Sequence, residues 1–200
     1  MGPGRVKVSR VKVARVNATK SSGGRAPPSR AILALLAGGD RRSIGRANQV
    51  AAIVSKDITL FSELMTGLWS DDLLVRMRAA DAAEKVSRRN PKLLEPYKAE
   101  LLGLMTEANQ QELRWHLAAM VPRLSLNAKE RERAASLLEG YLEDRSSIVK
   151  TFALQGLADV AKNDPALRPS VIELLRAAER SGTPAMKARS RKLLPRLERA

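Results

Sequence analysis

The chain is 200 residues long and sets 36 Lys and Arg against 21 Asp and Glu, a formal net charge of +15. It has no cysteine, which excludes disulfides, thiolate metal sites and a cysteine nucleophile. Aromatic residues make up 3% of it, Ala and Leu dominate, and no run of 18 apolar residues exists. A helical chain with no membrane span is therefore predicted, with a cytoplasmic location.

The charge is uneven. Residues 1–39 carry +8 with no acid, residues 40–184 carry +2, and residues 185–200 carry +5. Positive ends on a near-neutral body favour encounter with nucleic acid or another polyanion, without conferring specificity.

Residues 1–29 read as a basic tail. Arg5-Val6-Lys7-Val8-Ser9, Arg10-Val11-Lys12-Val13-Ala14 and Arg15-Val16-Asn17-Ala18-Thr19 form an imperfect five-residue repeat. Five matches neither helical nor strand spacing, so the valines gather on no face. Lys, Arg and Ser interrupt them, so they form no signal-peptide core. Ser21-Ser22-Gly23-Gly24 and Pro27-Pro28 are linker-like. High charge with little packable apolar surface predicts disorder.

Residues 30–200 alternate helix, short break, helix. The spacing predicts five pairs: 30–37 with 42–55, 57–68 with 72–89, 91–107 with 110–124, 128–143 with 146–162, and 165–180 with 184–199. Asn90-Pro91, Asp164-Pro165 and Thr183-Pro184 each set an N-cap acceptor before a proline at the first helical position. Asn127 and Glu130 have capping-box spacing. Pro96 and Pro169 fall inside first helices, and Pro122 and Pro195 late in second helices. The step from Pro96 to Pro169 equals that from Pro122 to Pro195, twice the length of one helix pair, so bends are expected in alternate repeats.

The unit recurs at a near-constant step of about 37 residues, within the range of helical repeat arrays. A basic residue stands at Arg76, Arg114, Lys150 and Lys187. Behind it run two apolar columns: Ala83, Val121, Leu157, Leu194, and Val86, Leu124, Val160, Leu197. A fixed period of this length predicts an all-α chain, a solenoid of about five antiparallel helix pairs. One pair cannot cover its own apolar face, so stability must come from stacking.

Asp71 or Asp72 before Val75-Arg76-x-x-Ala79, and Asp144 before Val149-Lys150-x-x-Ala153, resemble HEAT repeats. Leu113-Arg114 and Met186-Lys187 match more loosely. The likeness covers residues 30–200 and extends to small bacterial HEAT-repeat proteins. It implies a right-handed, armadillo-type superhelix with the second helices on the concave face. It further implies a scaffold or adaptor, and in a minority class a DNA glycosylase. Asn109-Gln110-Gln111 and Thr183-Pro184-Ala185 replace the turn Asp, so an Asp–Arg ladder of the kind the family shows is interrupted at those joints.

No reactive grouping is legible. His116 is the one histidine, read as a surface or partly packed residue in the column of Arg78, Phe152 and Arg189. Asp71-Asp72 and Glu143-Asp144 sit in turns, and no nucleophile is spaced with a base. No catalytic residue, metal site or cofactor is predicted. The candidate partner- or phosphate-binding residues are Arg76, Arg114, Lys150 and Lys187, with Arg189 and Arg191 near the C-terminus. As a ladder they would bond turn carboxylates; as a surface they would offer one cation per repeat. The first expectation is therefore a non-enzymatic module that binds another protein. The alternative is a nucleic-acid-binding solenoid that uses the basic tail and the basic column.

Overall fold

A computed structural model describes residues 31–40 and 42–199. The expected tail, residues 1–29, lies outside them. The described residues contain ten α-helices and no strand. They are α1 (Ala31–Leu36), α2 (Ala47–Lys56), α3 (Phe61–Thr66), α4 (Leu73–Arg89), α5 (Lys98–Glu107), α6 (Gln111–Met120), α7 (Ala128–Tyr141), α8 (Ser147–Ala161), α9 (Arg168–Ser181) and α10 (Pro184–Leu197).

Each odd-numbered helix packs on the even-numbered helix that follows it. The even helices also pack on one another in order, α2 on α4, α4 on α6, α6 on α8 and α8 on α10. Both apolar columns are buried along this row: Ala83, Val121, Leu157 and Leu194, then Val86, Leu124, Val160 and Leu197. Small residues let the row close. A Cβ on Gly156 of α8 would stand 2.7 Å from the Ala118 carbonyl oxygen of α6, closer than real Cβ atoms approach.

Side-chain caps set three helix starts. Asp72 Oδ1 accepts the Leu74 N–H (2.8 Å) and caps α4. Asn127 and Glu130 exchange the two bonds of a capping box at α7. Thr183 caps α10, with Pro184 at its first position. Asn90 makes no side-chain cap, and Pro91 opens a 3-10 segment, Pro91–Tyr97. Asp164 Oδ1 accepts the N–H groups of Ala166 (3.1 Å) and Leu167 (3.4 Å), so its turn runs on and α9 begins only at Arg168.

The prolines occupy different local positions in the two repeats. Pro169 sits in the first turn of α9, where its missing N–H costs nothing. Pro96 and Pro122 lie in 3-10 segments, whose short runs need fewer α-type bonds. Pro195 alone falls inside an α-helix.

The first pair differs most from expectation. Its second helix starts at Ala47 rather than residue 42, after a loop in which Gly38, Gly39 and Gly45 take φ of 72°, 82° and 52°. Arg78 of α4, 2% exposed, fills that loop from beneath. Its Nη1 donates to the carbonyls of Leu36 (2.7 Å) and Gly38 (2.5 Å). Nη2 donates to Asp40 (2.9 Å) and Ser43 (3.2 Å), and Nε to Ser43 again (3.2 Å). A Cβ at Gly45 would lie 2.8 Å from the guanidinium carbon. Among the described residues no carboxylate pairs with it, so backbone carbonyls alone offset the buried charge.

Arg78→Met should lower stability by about 2–4 kcal/mol through unpaired carbonyls and an unfilled loop. Thermal unfolding should show a midpoint roughly 10 °C lower. Arg78→Lys should recover little of it, because an ammonium cannot fork to four acceptors. A midpoint within about 2 °C of the parent chain would show that the loop holds without the guanidinium.

Candidate functional site

The six predicted cations differ in how far the fold engages them. Arg114, on α6, is engaged structurally. Its Nε donates to the Ala108 carbonyl (2.7 Å), its Nη1 to Asp144 Oδ2 (2.6 Å), and its guanidinium lies 5.3 Å from the Tyr141 ring centre. Burial works to raise the Asp144 carboxyl. The Ser146 N–H and the Arg114 guanidinium outweigh it and hold that carboxyl below the usual carboxylate range. Arg76 is half-buried and donates Nε to the Ser70 carbonyl of its own turn (2.9 Å). Arg189 donates to Gln155 Oε1 (2.8 Å) and covers the Phe152 ring at 5.6 Å. Lys150 and Lys187 are half-buried and Arg191 is exposed.

The Asp–Arg ladder is replaced where the sequence lacks its Asp. Between the second and third pairs, Gln110 Nε2 donates to the Leu73 carbonyl (3.0 Å). Between the fourth and fifth, the Ser147 and Thr183 hydroxyls bond at 2.7 Å. A second Arg–Asp link on the odd-helix side escaped the sequence reading: Arg131 Nε donates to Asp164 Oδ2 (2.8 Å). So did a cluster in which buried Glu84 accepts from both Arg88 and Arg123. Burial works to raise the Glu84 carboxyl, and the two guanidiniums hold it below the usual range.

Two residues beyond the basic column, the side chains turn inward. Arg78 and His116 are buried, and Trp115 meets Phe152 edge to face at 5.3 Å. His116 is 7% exposed, so the expected surface or partly packed histidine is a core residue. Burial pushes its imidazole down to about 4. The nearest carboxylate oxygen, Asp81 Oδ1, stands 3.9 Å away and does not compensate.

One concave feature crosses the N-terminal ends of the even helices. It is a groove of about 590 Å³. Ile44 before α2, Met77 of α4, Trp115 of α6 and Ile148 of α8 line it, together with the charged side chains of Asp40, Arg42 and Glu112. Ile44 and Ile148 are 47% and 51% exposed, which marks them as solvent-facing apolar surface rather than core. The Trp115 indole N–H and Glu112 Oε2 are shielded from solvent and have no hydrogen-bond partner. Among the described residues no three His, Asp or Glu side chains group as metal ligands would.

The imidazole is protonated in the unfolded chain below about pH 6.5 but stays neutral in the folded one down to about 4. The unfolded state therefore binds the extra proton, and stability falls as pH drops through that window, by on the order of 3 kcal/mol. Glu84 acts below it: its contribution is present above the unfolded carboxyl value and is lost as pH falls through the lowered folded one. Denaturant midpoints from pH 7 to 4 should fall for the parent chain and flatten for His116→Gln. An equally steep fall in the variant would place the acid sensitivity elsewhere. No protein-family model, no curated protein and no solved structure matches the chain.

Proposed function

We propose that the row of even helices is the inner wall of a right-handed, HEAT-like α-solenoid, and that the chain is a non-enzymatic cytoplasmic scaffold. It holds another protein along the concave face of the second helices. The observation that carries this reading is the groove over the N-terminal ends of α4, α6 and α8, with Ile44 and Ile148 about half exposed.

Two facts support it over a nucleic-acid face built from the basic column. Arg114 is tied to Asp144 and Ala108, and Arg76 to Ser70, so these cations serve the joints between helices. The groove is instead walled by large apolar side chains around a tryptophan, the residue types that anchor protein interfaces. The unpartnered Trp115 N–H and Glu112 oxygen lie beneath those walls and leave stability unclaimed at this place.

The test is affinity capture from lysate with the full chain, with and without nuclease, alongside an Ile44→Glu, Ile148→Glu variant. A defined set of proteins should be retained after nuclease treatment, and the variant should lose at least about 90% of it, a shift of roughly 1.4 kcal/mol or more. Both positions are exposed, so circular dichroism of the variant should match the parent. Retention that nuclease abolishes, or that the variant leaves intact, would remove this reading.

A further inference from the structure

The opposite ends of the even helices carry a second groove of different chemistry. It lies between α2 and α4, encloses about 650 Å³, and is lined by Lys56, Lys85, Arg88 and Arg89 without a single acid. We propose that it is a docking site for the phosphodiester backbone of a nucleic-acid duplex.

Its cations are only partly used within the fold. Lys85 bonds Asp81 and Asn48, each at 2.6 Å, and Arg88 bonds Glu84 at 2.6 Å. Glu84 already serves Arg123 as well, so one carboxylate faces two guanidiniums. The Arg88 side chain is 67% exposed despite its bond. Lys56 and Arg89 are exposed and make no ion pair or side-chain hydrogen bond among the described residues. Cations near helix C-termini complement the helix dipole, which accounts for each of these residues taken singly. It does not account for four of them lining one groove from two helices with no acid among them.

The lining also selects the ligand. Ala51, Ala52 and Ser55 leave room for a bulky chain between the cationic walls. No large apolar side chain is present to anchor a protein, and no aromatic ring to stack a base. Contact is therefore with phosphates and independent of sequence. Farther along the row, beside Asp159, stand two exposed cations, Lys162 after α8 and Arg196 in the last turn of α10. The neighbouring even helices are on the order of 10 Å apart, which gives a duplex several points of attachment.

The test uses the full chain and a labelled DNA duplex of about 20 base pairs, titrated by anisotropy between about 50 and 200 mM salt. One variant carries Lys56→Glu and Arg89→Glu. A control carries Lys129→Glu and Arg133→Glu on α7, both exposed and unpaired among the described residues, with the same change in net charge. The groove variant should bind about tenfold or more weakly, and its log–log salt slope should drop by about two. The control should stay within about twofold of the parent. Equal loss in both variants would show a general charge effect and overturn the proposal. So would parent-like binding by the groove variant, or no binding by the parent chain at low-micromolar concentration.

Discussion

A repeated helix pair with two apolar columns has nowhere to bury them except against the next pair. That constraint explains why α2, α4, α6, α8 and α10 touch in order, with α1 lying against both α2 and α4 and α9 against both α8 and α10. Close approach is then bounded by side-chain size. Ala79, Ala80, Ala82 and Ala83 of α4 are all inaccessible to solvent, and Gly156 of α8 meets a neighbouring backbone oxygen where any side chain would clash. Residues between the buried columns are free to vary, and variation there separates the two grooves.

The even helices run in one direction. The apolar groove joins the starts of α4, α6 and α8, the cationic groove joins the later turns of α2 and α4, and a third hollow joins the ends of α8 and α10. Parallel alignment places the positive dipole ends of all the second helices along one edge and the negative ends along the other. Asp72, Glu112 and Asp144 gather at the first edge, and Lys56, Arg88, Arg89 and Lys162 at the second. The acids of the first edge stand beside the basic column of Arg76, Arg114 and Lys150, whereas the groove between the later turns of α2 and α4 is lined by cations and no acid.

Much of this was legible. Spacing located the buried columns and the capping box at Asn127, and the resemblance to HEAT repeats pointed to Gln110 and Thr183 as joints without the turn Asp. What stayed hidden had a physical reason in each case. Arg76 and Arg78 are both arginines near the start of α4, yet two residues along a helix is more than half a turn. One therefore lies half-exposed beside its own turn and the other is buried. Charge patterning does not distinguish a cation that meets a carboxylate from one that meets only carbonyls. The late start of α2 depends on those carbonyls, so it was invisible for the same reason. The cationic groove draws on Lys56 from the end of α2 and on Arg88 and Arg89 from the end of α4, and it belongs to no column of the repeat. The prolines share a spacing along the chain but not a position within their helical segments.

Arg78 links the stability of the first pair to the shape of the apolar groove. Helix α1 has six residues and buries only Ile32 and Leu36, too little to seal the end of the row by apolar contact. The guanidinium takes over that task by drawing the carbonyls of Leu36, Gly38, Asp40 and Ser43 around itself. The next residue after Ser43 is Ile44, one wall of the groove, and Gly45 lies flat against the guanidinium because no Cβ would fit there. Met77, adjacent to Arg78 in sequence, forms another wall. The charge that closes the end of the row thereby holds Ile44 opposite Met77 and Trp115. A substitution that loosened this loop would disturb the groove before it disturbed the row, because α4 keeps its packing on α6 without it.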